Sequence, residues 1–213
     1  MNSIVVVDYG MGNLRSVAKA IEHVAPAGVE VCVSGCPSEL AAADRIVFPG
    51  QGAARDCMLE LNQRGLHDAL LEAARNKPFL GICMGMQVLM SHSEENDGTA
   101  CLDMFEGEVR FFGHDLQDAA GERLKIPHMG WNRVQPTRPH PIWDGIEDGE
   151  RFYFVHSYHV APKSSDLTLA TTDYGLNFVS AIAHENVAAV QFHPEKSAEA
   201  GLRLLRNFLH WNP

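Results

Sequence analysis

The sequence lacks any apolar run long enough to cross a bilayer. Its N-terminal apolar stretch spans only Ile4 to Val7, whereas a membrane-spanning helix needs roughly 20 residues. No basic segment precedes this stretch, as it would in a secretory signal. We therefore expect neither export nor membrane insertion, and we predict a cytoplasmic protein.

Cysteine is scarce and does not form a metal-binding pattern. The only close pair, Cys32 and Cys36, has no second pair and no histidine pair to complete a zinc site. Dinucleotide and nucleotide motifs are also missing: Arg15 stands where a GxGxxG fingerprint needs its third glycine, and no Walker sequence occurs. We predict no metal and no cofactor, and buried free thiols at most of the five cysteines.

Positive charge is in deficit. Lys and Arg number 17 against 27 Asp and Glu, which gives a formal net charge of −10, and the basic residues form no cluster. Nothing in the sequence would neutralise a row of phosphates, so nucleic-acid binding is not expected. By the same argument, this chain alone would not hold a heavily phosphorylated substrate.

The 213 residues predict one domain over 1–213 with an α/β fold. Apolar strands alternate with amphipathic helices in the first half, which indicates an open, mostly parallel sheet with helices on both faces. The second half has short strands between turns and predicts an antiparallel extension. The expected strands are Ser3 to Val7, Val29 to Val33, Arg45 to Phe48, Pro78 to Ile82, Val109 to Phe112, Phe152 to Val155, Leu167 to Thr171, Phe178 to Ala183 and Val187 to Phe192.

A cysteine lies where one of these strands meets a predicted helix over Met84 to Ser91. The segment Gly81-Ile82-Cys83-Met84-Gly85 has the small-x-nucleophile-x-small pattern of a nucleophile elbow. A helix N-terminus below the sulfur favours a thiolate, and the Met84 N–H would face a developing oxyanion. The alternative is a buried cysteine in a glycine-flanked bend.

A base for this cysteine is available late in the chain. His193 follows the Val187 to Phe192 strand, and Glu195 lies two residues further on, so that its carboxylate could accept the ring N–H. By itself the His-Pro-Glu segment would be interpreted as a surface turn. Together with the upstream elbow, it favours a Cys-His-Glu triad.

A third segment, Pro49-Gly50-Gln51-Gly52, also ends a strand. Its glycines would let backbone N–H groups turn toward an oxyanion. An ordinary strand-to-helix turn explains the same residues equally well.

These segments resemble a known family. GICMGMQ at 81–87, PGQGA at 49–53 and QFHPEKS at 191–197 resemble the signature blocks of class-I (triad) glutamine amidotransferases. DYGMGNL at 8–14, PHMGWN at 127–132 and YFVHSY at 153–158 resemble the glutaminase subunits of imidazole glycerol phosphate synthases. The resemblance covers essentially the whole chain.

The resemblance implies roles for individual residues. Cys83 would be the nucleophile, His193 the base and acid, and Glu195 the orienting carboxylate, with Gly50, Gln51 and Met84 at the oxyanion. Residues implied around bound glutamine are Gly52, Gln87, Ser157 and Tyr158, with Gly50 again among them. Residues implied at a partner interface are Asn13, Trp131, Tyr153 and Lys196. Gln51 departs from the family's usual valine, and its amide could restrain the peptide that must reorient.

The resemblance also implies an activity and a partner. The chain would hydrolyse glutamine and pass ammonia to a (β/α)8-barrel cyclase, which forms imidazole glycerol phosphate and AICAR in histidine biosynthesis. The isolated chain is expected to show negligible glutaminase activity. The alternatives are a Cys-type α/β-hydrolase, a non-enzymatic scaffold that binds the barrel, and the amidotransferase component of an anthranilate-type or GMP-synthetase-type enzyme.

Overall fold

A computed structural model describes residues 3–213. The helices are α1 (Leu14–Val24), α2 (Pro37–Ala42), α3 (Ala54–Gln63), α4 (His67–Asn76), α5 (Met84–Gln87) and α6 (Ala198–His210). The first seven strands are β1 (Ser3–Val7), β2 (Glu30–Ser34), β3 (Arg45–Gly50), β4 (Phe79–Cys83), β5 (Met90–Ser93), β6 (Thr99–Ala100) and β7 (Phe105–Phe111). The others are β8 (His128–Arg133), β9 (Gln135–Pro136), β10 (Arg151–His156), β11 (Tyr158–Pro162), β12 (Thr168–Asp173), β13 (Asn177–His184) and β14 (Val187–Val190).

A parallel block forms one side of the main sheet, in the order β2-β1-β3-β4-β14. Its central strands are apolar on both sides because each face is covered by helices. Helices α1 and α6 pack on one face, and α2, α3 and α4 pack on the other. This arrangement confirms the predicted fold class, and it places the carboxyl ends of β3, β4 and β14 at one edge.

Mostly antiparallel strands extend the sheet beyond β14, with one parallel pair between β5 and β7. Strand β13 pairs antiparallel with β14, and the order continues through β11, β7, β5 and β6. Strands β8 and β10 leave this sheet and form their own antiparallel ribbon. The predicted antiparallel extension is therefore present, with a second small sheet that the sequence pattern did not separate from it.

Several predicted boundaries differ from the structure. The helix predicted over Met84 to Ser91 stops at Gln87, because the chain turns there into β5. Strand β3 continues through Pro49 to Gly50, since Gly50 pairs with Cys83 of β4. Strand β14 ends at Val190, two residues earlier than expected. No helix among residues 3–213 is long and apolar enough to cross a membrane.

Candidate active site

Cys83 is the last residue of β4 and lies at a sharp bend before α5. Its backbone has φ 55° and ψ −110°, a conformation rare for a residue with a side chain. The flanking glycines allow the bend: a Cβ on Gly85 would lie 1.9 Å from the Phe48 carbonyl oxygen, and one on Gly81 would lie 2.7 Å from the Gly85 oxygen. The local structure is the predicted nucleophile elbow.

The helix beneath the sulfur is shorter than predicted. Helix α5 has only four residues, all buried, from Met84 to Gln87. Because a helix dipole acts through aligned peptide units, one turn contributes less positive potential than the longer predicted helix would. Positive charge at the sulfur therefore depends mainly on a neighbouring side chain.

That side chain is His193, which follows β14 and lines the same cavity as Cys83. Its Nδ1 lies 2.9 Å from Glu195 Oε1, and the two side chains are 3% and 1% exposed. Since Glu195 engages Nδ1, Nε2 is the nitrogen available to exchange a proton with the thiol. Nε2 is buried and has no hydrogen-bond partner among residues 3–213.

The charge of His193 is set by its surroundings. Burial by itself lowers the pKa of this imidazole, but the interactions with Cys83 and Glu195 outweigh burial and raise it to about 10. The imidazolium is therefore the stable form at neutral pH, with the Glu195 carboxylate on one side and the Cys83 sulfur on the other. The backbone also holds the ring, because the His193 N–H donates to the Tyr153 carbonyl at 2.9 Å.

The predicted oxyanion strand lies directly beside Cys83. Gly50 is the register partner of Cys83, and a Cβ on Gly50 would lie 2.7 Å from the Met84 Cβ and 2.6 Å from the Tyr9 hydroxyl. Burial raises the pKa of the Tyr9 phenol, whose buried hydroxyl has no hydrogen-bond partner among residues 3–213.

A cavity of about 440 Å³ opens over Cys83 and collects most of the predicted site. Four of the five residues implied around bound glutamine line this cavity: Gly52, Gln87, Ser157 and Tyr158. The predicted oxyanion residues Gln51 and Met84 line it too, whereas Gly50 lies behind them in β3. A volume of this order accommodates an amino acid and leaves room for water.

Side-chain amides connect the cavity to the sulfur. The Gln191 Nε2 lies 3.7 Å from Cys83 Sγ, and the Gln191 Oε1 accepts from Gln87 Nε2 at 3.0 Å. Gln87 Nε2 also donates to the Tyr158 carbonyl at 3.0 Å. Gln191 was not among the predicted site residues, although it lies two positions before His193 in the same segment.

Glu95 is a second residue that the sequence did not indicate. It lines the cavity, and its Oε2 accepts from the Ala54 N–H at 2.8 Å, at the start of α3. The carboxylate puts a negative charge where a substrate's ammonium group could be bound. No motif surrounds it, because it belongs to a turn after β5.

Three of the four predicted interface residues lie together. Trp131 and Tyr153 are register partners in the β8–β10 ribbon, and Lys196 Nζ lies 5.7 Å from the centre of the Tyr153 ring. Trp131 is 48% exposed and is therefore not part of the core. Asn13 precedes α1, which contacts the 194–196 turn that carries Lys196. Their role in docking stays a prediction.

The remaining thiols and acidic groups do not suggest a metal centre. All five cysteines are free, and three of them are buried: Cys57, Cys83 and Cys101. Within residues 3–213, no group of three His, Cys, Asp or Glu side chains could hold a metal ion.

Comparisons with known proteins agree with this geometry. The model of the family "Glutamine amidotransferase class-I" matches residues 5–211. The imidazole glycerol phosphate synthase subunit HisH of Thiobacillus denitrificans is 62% identical over 99% of this chain and 92% of its own length. The HisH subunit of Aromatoleum aromaticum is 57% identical over the full length of both chains.

Solved structures show the same fold at low identity. A putative GMP synthase protein from Thermoplasma acidophilum superposes with a TM-score of 0.71 at 22% identity, covering 99% of this chain and 93% of that one. The glutaminase domain of Trypanosoma brucei CTPS with bound acivicin gives 0.64 at 19% identity, covering 100% and 96%. The chain belongs to the class-I glutamine amidotransferase family and, within it, to the HisH subunits of imidazole glycerol phosphate synthase.

Proposed function

We propose that this chain hydrolyses L-glutamine to glutamate and ammonia and delivers the ammonia to a cyclase subunit that makes imidazole glycerol phosphate and AICAR. The observation that carries the proposal is the meeting of Cys83, His193 and Glu195 at one cavity. Residues 1–213 act as a single amidotransferase domain in the cytoplasm.

The reaction begins at the sulfur. The Cys83 thiolate attacks the side-chain carboxamide carbon of glutamine, and the carbonyl oxygen becomes an oxyanion. The Met84 N–H, which follows the nucleophile, is one donor for this charge, and the Gln51 N–H is the second. Each such donor is typically worth about 3–4 kcal/mol in the transition state.

Proton transfer then follows from the charge of His193. The imidazolium gives its Nε2 proton to the departing nitrogen, so ammonia leaves and a γ-glutamyl thioester remains on Cys83. The neutral ring next takes a proton from water, and the resulting hydroxide attacks the thioester carbonyl to release glutamate. Glu195 holds Nδ1–H throughout, which keeps Nε2 as the proton carrier.

A partner subunit completes the enzyme, since the HisH relatives are subunits of a synthase. We propose that this partner is a (β/α)8-barrel cyclase and that Asn13, Trp131, Tyr153 and Lys196 contact it. The net charge of −10 supports this division of labour, because the barrel would hold a phosphorylated acceptor that this chain cannot. Ammonia would need an enclosed path, since in water it becomes ammonium and loses its nucleophilicity.

The geometry of the triad favours this function over the rivals. A Cys-type α/β-hydrolase would normally take its carboxylate from an Asp well before the histidine, whereas Glu195 follows His193 by two residues and lies 2.9 Å from it. A pure scaffold would have no need of a buried, paired imidazole. Amidotransferase subunits for anthranilate or GMP synthesis share the triad and differ in the acceptor enzyme they bind.

The direct test measures glutamate release by the purified chain with and without its cyclase. We expect the isolated chain to be slower by about 10²-fold, because one oxyanion donor of this kind contributes about 10²–10³ in rate and we propose that the Gln51 N–H takes its active position only with the partner.

Anthranilate-type and GMP-synthetase-type acceptors, supplied in the same assay, serve as controls for the partner. Similar rates with and without the cyclase would contradict the dependence on the partner. Stimulation only by one of the other acceptors would assign the chain to that pathway.

A further inference from the structure

Two buried histidines, one of which lines the cavity over Cys83, take no part in the chemistry above. His128 opens β8 and His156 closes β10, and they are register partners in the ribbon. They are 3% and 6% exposed, and the His128 Nδ1 lies 2.9 Å from the His156 Nε2. A buried pair of imidazoles in direct contact is costly unless every ring nitrogen is satisfied.

The proton positions in this pair follow from its two ends. The His156 Nδ1 lies 2.8 Å from the Tyr158 carbonyl, which can only accept, so Nδ1 carries hydrogen and Nε2 accepts from His128. At the other end, the Asn132 Nδ2 donates to the Asp173 carbonyl at 2.8 Å and lies 3.2 Å from His128 Nε2. Both rings are therefore neutral Nδ1–H tautomers, linked in one direction from Asn132 to Tyr158.

The electrostatic environment agrees with neutral rings. Burial lowers the pKa of His128 to about 4 and the pKa of His156 to about 3. A proton added to either ring would make its Nε2 a donor. Each Nε2 already faces another N–H donor, so the series of hydrogen bonds would break.

This series of hydrogen bonds ends at the Tyr158 carbonyl oxygen, which also holds a residue of the proposed glutamine site. The Tyr158 carbonyl accepts from both His156 Nδ1 and Gln87 Nε2. Gln87 gives its second hydrogen to Gln191, which reaches Cys83 Sγ. With both hydrogens committed, the Gln87 amide has one orientation, and its oxygen is left for a ligand. His156 itself also lines the cavity.

We propose that His156 and His128 are positioning residues for glutamine: they fix the Tyr158 carbonyl and, through it, the orientation of the Gln87 amide. The inference rests on the proposed function, because the ligand it positions is glutamine. It assigns to the ribbon a role inside the active site in addition to any contact with the cyclase.

A packing role would predict a different outcome. His128 stacks on Tyr174 with ring centres 4.0 Å apart and on Phe154 at 4.8 Å, so phenylalanine would preserve the aromatic contacts while deleting the hydrogen bonds. His159 provides a matched control. It is a neighbouring histidine that packs on Phe112 at 5.0 Å, and its Nδ1 lies 3.3 Å from the Val160 carbonyl oxygen, outside the series of bonds described above.

The experiment compares His156→Phe, His128→Phe and His159→Phe in the complex with the cyclase. For His156→Phe, we expect the KM for glutamine to rise about tenfold with kcat within about threefold, the pattern of lost ground-state positioning. His128→Phe should raise KM less, because one bond remains between His156 and Tyr158. His156→Asn should recover part of the loss, since its amide can still donate to the Tyr158 carbonyl. Ammonia-supported synthesis should stay unchanged in all of them.

Two results would overturn the positioning role, and a third would refute the proposed function on which it rests. If His156→Phe and His128→Phe match His159→Phe in KM, the pair only packs. If long-range ¹H–¹⁵N spectra of the wild type show either ring charged or as the Nε2–H tautomer at pH 7, the proposed series of hydrogen bonds does not exist. This measurement needs no variant, so it holds even if one of the variants fails to fold. A wild-type complex that releases no glutamate would refute the proposed function itself, and the positioning role would fall with it.

Discussion

Replacing Cys83 with alanine should abolish glutamine hydrolysis in the complex, with a loss of at least about 10⁴-fold in kcat, because the thioester cannot form. Ammonia supplied from solution should still support synthesis, since that step belongs to the partner. Alanine keeps the Cβ and fits the space of a side chain that is 7% exposed, so the fold should survive. Glutamate release and product formation, measured in parallel, separate the two activities.

Cys101→Ala is the matched control for this experiment. Cys101 is equally buried at 8% exposure, and its thiol contacts the Thr99 carbonyl, away from the cavity. This variant should retain glutaminase activity within about twofold. Normal glutamine turnover by Cys83→Ala would show that Cys83 is not the nucleophile and that the elbow has no catalytic role.

Replacing Glu195 with glutamine should lower kcat by about 10³-fold, because a neutral amide neither stabilises the imidazolium nor fixes its tautomer. The wild-type carboxylate helps to raise the pKa of His193 to about 10. Without it the pKa of His193 falls, so the charged ring is lost at lower pH. The alkaline limb of the pH–kcat profile should therefore move to lower pH in the variant.

Glu199→Gln is the control for charge near the same turn. Glu199 lies in the first turn of α6 and is exposed, so its neutralisation changes the net charge equally without touching the ring. Its pH profile should overlay that of the wild type. An unchanged profile for Glu195→Gln would mean that Glu195 does not control the charge of His193.

The chemistry-bearing turns could be predicted because their requirements are local. The elbow around Cys83 needs glycines two positions away on both sides, and backbone crowding at Gly81 and Gly85 shows why. His193 and Glu195 are two residues apart, so an extended or turn conformation brings them together almost regardless of the fold. Local requirements of this kind can be recognised in a single sequence.

The rest of the site depends on contacts between residues far apart in the sequence, which no local pattern indicates. Gln191 meets Cys83 only because β14 joins β4 in the parallel block, and Gln87 meets the Tyr158 carbonyl across the sheet. Glu95 arrives from a turn with no motif. The end of α5 was also missed, because the apolar residues from Val88 to Met90 suit a helix or a buried strand equally well.

The positive φ of Cys83 has a consequence for how this sequence can evolve. A residue with a Cβ held in such a conformation typically costs about 1–3 kcal/mol, a cost that glycine avoids. Selection for heat resistance alone, with histidine supplied by the medium, would therefore favour glycine at this position. Retention of cysteine at this position, despite the cost in stability, would therefore indicate continued selection for the hydrolysis of glutamine.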